Sequence, residues 1–157
     1  MRRTERRSDC PISFALETFG DTWSLLVIRD LMFQNKTTYT DFLRSEEGIA
    51  TNILASRLRH LEDTGLIRRR GSGRAVAYAL TEKGLDLLPV VVEMVSWSAK
   101  HDRRTAADRD FVARIRTDRR GLLTDLRAQL QRGYKIGGGR RKGAVETPAR
   151  RRRQPDA

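Results

Sequence analysis

The hydrophobic rhythm of the chain changes twice between Thr51 and Val95. Leu54, Leu58 and Leu61 recur at the spacing of one helix face, and Gly65 follows where a left-handed residue closes a helix. Val76, Tyr78 and Leu80 then alternate with alanines, the period of a half-buried strand, and Leu66 to Arg70 can lie opposite them around Gly71-Ser72-Gly73. After Thr81, a capping residue, Leu85, Leu88, Val92 and Val95 restore the helical period. Such an order allows helix, antiparallel hairpin, helix and little else. Pro89 is expected to kink the last of these helices, because a proline inside a helix has no N–H to give.

Upstream, Ser8-Asp9-Cys10-Pro11 reads as a helix start, with a capping side chain ahead of a first-turn proline. A short first helix carries Ile12, Ala15, Leu16 and Phe19 and stops at Gly20. Asp21 caps a second, apolar nearly all round from Trp23 to Phe33, which is the pattern of a central buried helix. A brief third helix spans about Tyr39 to Arg44 and is followed by the turn Ser45-Glu46-Glu47-Gly48. Downstream, Phe111, Ile115, Leu122, Leu126 and Leu130 form a stripe that predicts one helix from Asp108 to Arg132. The fold class is therefore mainly α with a small β-hairpin.

Two short helices joined by a tight turn form a module whose second helix can lie in the DNA major groove, and the hairpin beside it adds a wing. With Leu54, Leu58 and Leu61 facing inward, Asn52, Ser56 and Arg59 face outward and Thr51 and Ala55 flank them, with Arg57 on the same reading helix. Asn reads adenine and Arg reads guanine in a bidentate way. Arg68, Arg69, Arg70 and Arg74 on the hairpin suit phosphates or a narrow minor groove. The competing expectation is an ordinary helical domain with a solvated arginine hairpin.

Four segments, CPISFALETFGDTWSLLVIRDLMF, GIATNILASRLRHLEDTGLI, YALTEKG and LPVVVEMVSW, fall in order over residues 9–101. Together they resemble the HxlR-type winged-helix transcriptional regulators. The resemblance implies a cytoplasmic homodimer on a double-stranded DNA operator, with the fourth helix as reader and the hairpin as wing. The family often has Ser-Pro-Lys after the Gly-Ile of the turn, where this chain has Ala50-Thr51-Asn52. Alanine is a poor cap, so Thr51 is expected to take that place and shift the helix start by a residue.

The net charge of +12 is unevenly distributed: residues 1–100 carry 15 Lys/Arg against 13 Asp/Glu, and residues 101–157 carry 17 against 7. A nearly neutral domain with a basic appendage points to a polyanionic partner. The expected organisation is a basic arm at 1–8, the DNA-binding domain at 9–101, an amphipathic helix at 102–132 and a disordered basic tail at 133–157. The helix either pairs with the first helix (Ile12, Leu16) across a two-fold axis or packs back on its own domain.

No run reaches the roughly 18 apolar residues of a membrane span. With one cysteine no intrachain disulfide is possible, and no Cys/His spacing matches a metal site. His60 and His101 are isolated, and neither Gly137-Gly138-Gly139 nor Gly71-Ser72-Gly73 sits between a strand and a long helix, so neither an enzyme nor a cofactor is expected. The expected function is a sequence-specific DNA-binding regulator acting as a dimer on an inverted repeat, its small-molecule effector unspecified. The alternative is a nonspecific architectural nucleic-acid-binding protein driven by the tail. Cys10 precedes a helix N-terminus, whose dipole favours a thiolate, and regulators of the resembled family sense oxidants or electrophiles through a matching cysteine. An inert thiol packing the first helix is the other possibility.

Overall fold

The computed structural model describes residues 7–73 and 76–135. Residues 1–6 of the arm, Arg74 and Ala75, and the tail beyond Lys135 lie outside the described residues. The elements run α1 (Pro11–Phe19), α2 (Thr22–Phe33), α3 (Tyr39–Leu43), α4 (Thr51–Asp63), β1 (Ile67–Arg70), β2 (Ala77–Leu80), α5 (Glu82–Leu85), α6 (Leu88–His101), α7 (Arg109–Thr117) and α8 (Arg119–Lys135). They form two compact units: one takes in residues up to Leu31 and Lys36–Leu85, the other Met32–Asn35 and the chain from Asp86 on.

The first unit is a winged helix-turn-helix. Its core is made by Ile28 and Leu31 of α2, Phe42 of α3, Leu54, Leu58 and Leu61 of α4, and Leu66, Ile67 and Leu80 of the hairpin, each no more than 2% exposed. The expected stops are local. Asp21 Oδ1 accepts the Ser24 backbone N–H at 3.0 Å and starts α2. Thr38 and Asp41 form a reciprocal capping box on α3. Gly65, at φ +73, turns the chain from α4 into β1 through a conformation that a Cβ would strain.

The hairpin is antiparallel, with Ile67 opposite Leu80, Arg69 opposite Tyr78 and Arg70 opposite Ala77. Its second strand is tied to the segment before α3, since the Tyr78 N–H donates to the Thr37 carbonyl at 2.7 Å. The Tyr78 ring leans on Phe42 with centroids 6.1 Å apart. Thr81 closes the base of the hairpin, its hydroxyl donating to the Gly65 carbonyl at 2.6 Å and accepting the Gly84 N–H at 3.1 Å.

Beyond Thr81 two expectations are corrected. Pro89 breaks the helix after Thr81 instead of kinking it: α5 ends at Leu85, and α6 begins at Leu88 with the proline in its first turn. There the missing N–H costs no hydrogen bond. The single helix over 108–132 is likewise two, because Asp118 leaves helical geometry (φ −146, ψ 56) and its Oδ1 accepts the Gly121 N–H at 3.0 Å, capping α8. Gly121 belongs to that cap, since a Cβ there would meet Asp118 Oδ2 at 2.3 Å. α8 also runs to Lys135, past the expected end at Arg132.

Ile115, Leu122, Leu126 and Leu130 are buried, as are Val91 and Val92 of α6. Phe111 meets Phe33 edge-on, with centroids 6.3 Å apart. The stripe from Ile115 to Leu130 is thus covered within its own unit. Exposed ion pairs, Arg119–Glu93 at 2.7 Å and Arg127–Asp86 at 2.8 Å, decorate the surface.

Candidate nucleic-acid interface

α4 buries one face and leaves the opposite one bare. Thr51, Asn52, Ala55, Ser56 and Arg59 are exposed, as the spacing of the leucines requires. Thr51 does not cap the helix. The cap position is Ala50, extended at φ −70 and ψ 145, with no side-chain hydrogen bond, and Thr51 is the first helical residue. The start of α4 is held from outside instead, because the Tyr39 hydroxyl donates to the Thr51 carbonyl at 2.8 Å.

Arg57 stands apart from the others. It is only half-exposed, and its Nη1 lies 3.4 Å from Asp21 Oδ2 while its Nη2 donates to Ser56 Oγ at 3.3 Å. Among the described residues Arg59 and Arg68 have no such ion pair. The wing arginines divide as the pleat dictates: Arg69 shares a face with Tyr78 across the hairpin, and Arg68 and Arg70 point to the other face. Arg68 and Arg69 are exposed and Arg70 is half-buried.

Beneath the turn that launches α4 lies a polar network that the sequence did not reveal. Asp30, 2% exposed, accepts from Arg29 Nε at 2.9 Å and from the Ser45 hydroxyl, and Lys36 Nζ lies 3.5 Å away. Arg29 also pairs with Glu47. Burial alone would lower the Arg29 pKa, but Glu47 and Asp30 hold it above its ordinary value; in return Arg29 holds the Glu47 carboxyl below the usual range. These contacts fix the Ser45–Gly48 turn to α2. The available signal was Arg29-Asp30, a charged pair inside an otherwise apolar helix.

His60, isolated in the sequence, joins α4 to α1 through a bond of 2.9 Å between Nε2 and the Thr18 carbonyl. Because a carbonyl only accepts, Nε2 carries the proton. Cys10 is exposed and occupies the cap position of α1, where its N–H donates to Ser8 Oγ at 3.3 Å. Arg7 pairs with Glu17 at 3.5 Å, and Arg2, Arg3 and Arg6 lie outside the described residues. Among the described residues no cluster of His, Cys, Asp and Glu could hold a metal ion, and no helix is long and apolar enough to cross a membrane.

This geometry has relatives. YybR of Bacillus subtilis, an uncharacterised HTH-type transcriptional regulator, is 29% identical over 76% of this chain and 90% of its own length. Among solved structures, PA1607 is 36% identical with a TM-score of 0.56, covering 61% of this chain and 68% of that one. The redox regulator HypR in its oxidised form is 28% identical with a TM-score of 0.53, covering 59% of this chain and 98% of that one. The profile of the HxlR-like helix-turn-helix matches residues 18–106, so it takes in the α4 face and the hairpin and leaves Cys10 outside. With more than half its length matched, the chain belongs to the HxlR-like helix-turn-helix family of transcriptional regulators.

Proposed function

We propose that the protein is a cytoplasmic, sequence-specific DNA-binding regulator that acts as a homodimer on an inverted-repeat operator. The carrying observation is the bare face of α4, where Asn52, Ser56 and Arg59 stand clear of the core and the chain continues directly into the arginines of the hairpin. Asn52 and Arg59 read base edges; Thr51, Ala55 and Ser56 let the helix approach closely; Arg68, Arg69 and Arg70, with Arg74, hold the phosphates.

One such helix covers a small footprint, and a two-fold axis would place two of them about 34 Å apart on the duplex. α1 supports that assembly, because Ile12 and Leu16 are 68% and 62% exposed on a helix of the first unit. In the second unit α6 also leaves Val90, Met94 and Trp97 uncovered. Cys10, exposed at the head of α1, is the residue through which an oxidant or electrophile acts in this reading, and the resemblance to the redox regulator HypR supports it.

The test is a fluorescence titration of a duplex enriched by the protein from a random pool, beside a scrambled duplex, with sedimentation of the same samples. A regulator prefers its operator by about three orders of magnitude or more and sediments as a dimer. Equal affinity for both duplexes would favour the nonspecific architectural reading, and a monomer would remove the two-fold arrangement.

A further inference from the structure

Arg57 occupies a particular place on the reading helix. At 100° per residue it falls on the flank between the buried leucines and the outer face of Asn52, Ser56 and Arg59. A side chain on that flank meets the edge of a groove, where phosphates run, before it meets a base. Yet its guanidinium is already engaged, 3.4 Å from Asp21 Oδ2, with the two side chains 32% and 36% exposed. Asp21 uses its oxygens separately: Oδ1 accepts the Ser24 N–H at the start of α2, and Oδ2 faces Arg57. Burial raises the Asp21 carboxyl, but Ser24 and Arg57 together hold it below its ordinary value, so it is anionic at neutral pH.

We propose that Asp21 is a positioning residue that withholds Arg57 from DNA phosphates and so limits the sequence-independent affinity of the reading helix. The inference rests on α4 being the DNA reader. Sequence-independent affinity rises with the number of phosphates that cations neutralise, and each one steepens the salt dependence. A guanidinium facing its own carboxylate adds no net charge to the surface and neutralises no phosphate. Asp21 therefore sets how many cations α4 offers to arbitrary DNA, without touching DNA itself.

The variant that isolates this role is Asp21→Asn, because asparagine caps a helix as well as aspartate does and the start of α2 is preserved. The full chain is titrated on a mixed-sequence duplex between about 50 and 200 mM salt. For each protomer that engages the duplex, freeing Arg57 should steepen the plot of log affinity against log salt by about 0.9 and tighten binding about five-fold at 0.15 M salt. Adding Arg57→Ala to Asp21→Asn should return the slope to the wild-type value. An unchanged slope in Asp21→Asn would overturn the proposal. So would a gain that survives in the double variant, whose net charge equals that of wild type, because the released cation would then not be Arg57. Wild-type protein that binds no duplex would instead remove the reading of α4 on which this inference stands, and that titration is decided before any variant is made.

Discussion

Gly84 is the position where two opposing effects can be weighed. It lies in α5 with ordinary backbone angles, so alanine there gains about 1 kcal/mol of helix propensity. Space argues the other way. A Cβ at Gly84 would stand 2.1 Å from the Leu66 carbonyl oxygen and 3.0 Å from Leu80 Cδ2, and the first of these is backbone at the base of the hairpin. Relief requires α5 and the start of β1 to separate by about an ångström. The same carbonyl accepts the Thr81 N–H at 3.0 Å, so moving it weakens the closure of the wing. Overpacking costs about 1–3 kcal/mol and a lost hydrogen bond about 0.5–1.5 kcal/mol. After the propensity gain, Gly84→Ala should destabilise by about 2 kcal/mol. Urea unfolding, with a slope of about 2 kcal/mol/M, would then show a midpoint lower by about 1 M. DNA affinity measured well below the midpoint should also fall, because the wing arginines move with β1. A midpoint that rises would refute the steric argument and leave propensity as the deciding term.

Asn52→Ala and Arg59→Ala should each lower operator preference by about 1–3 kcal/mol with little effect on scrambled DNA, while Arg69→Ala weakens both duplexes alike, as paired titrations would show. Cys10→Ser should bind normally in reducing buffer and resist release by diamide or a quinone; release at the wild-type dose would end the sensing role. A chain ending at Lys135 keeps α8 whole and should retain operator choice while losing affinity at low salt, measured by the salt slope. Glu47 has a folded pKa depressed by Arg29, so its contribution to stability is present above the ordinary glutamate value and is lost as pH falls through the depressed one. Glu47→Gln should therefore flatten the acid limb of a stability–pH curve, and an unaltered limb would show that the pair is immaterial.

What could be read in advance followed from local periodicity. Leu54, Leu58 and Leu61 dictated which side of α4 is bare, Gly65 its end, and the Val76–Leu80 alternation the hairpin, because each depends on neighbours within a turn or a strand. The single helix expected over 108–132 is two for a related reason, the break falling at Asp118. A stripe of apolar residues continues smoothly across it, and the break shows only in the backbone of Asp118 and in the capping hydrogen bond it accepts from Gly121. The ties of Arg57 to Asp21 and of Asp30 to Ser45 join segments remote in sequence, and no period encodes such a meeting. The sequence therefore places Arg57 on α4 with the other candidates and gives no sign of its partner.

The bond from His60 to Thr18 has an asymmetry that bears on how such a protein changes over generations. Its acceptor is a main-chain oxygen, which every residue that can occupy position 18 would also supply. A substitution can therefore remove the side-chain end of the joint between α4 and α1 at position 60, but not the carbonyl end at position 18. Drift at Thr18 alters packing and the hydroxyl contact to the Phe14 carbonyl, but it does not remove the partner of His60. A lineage could retune how firmly α1 holds α4 by a single substitution at position 60, and restore it by a single reversion.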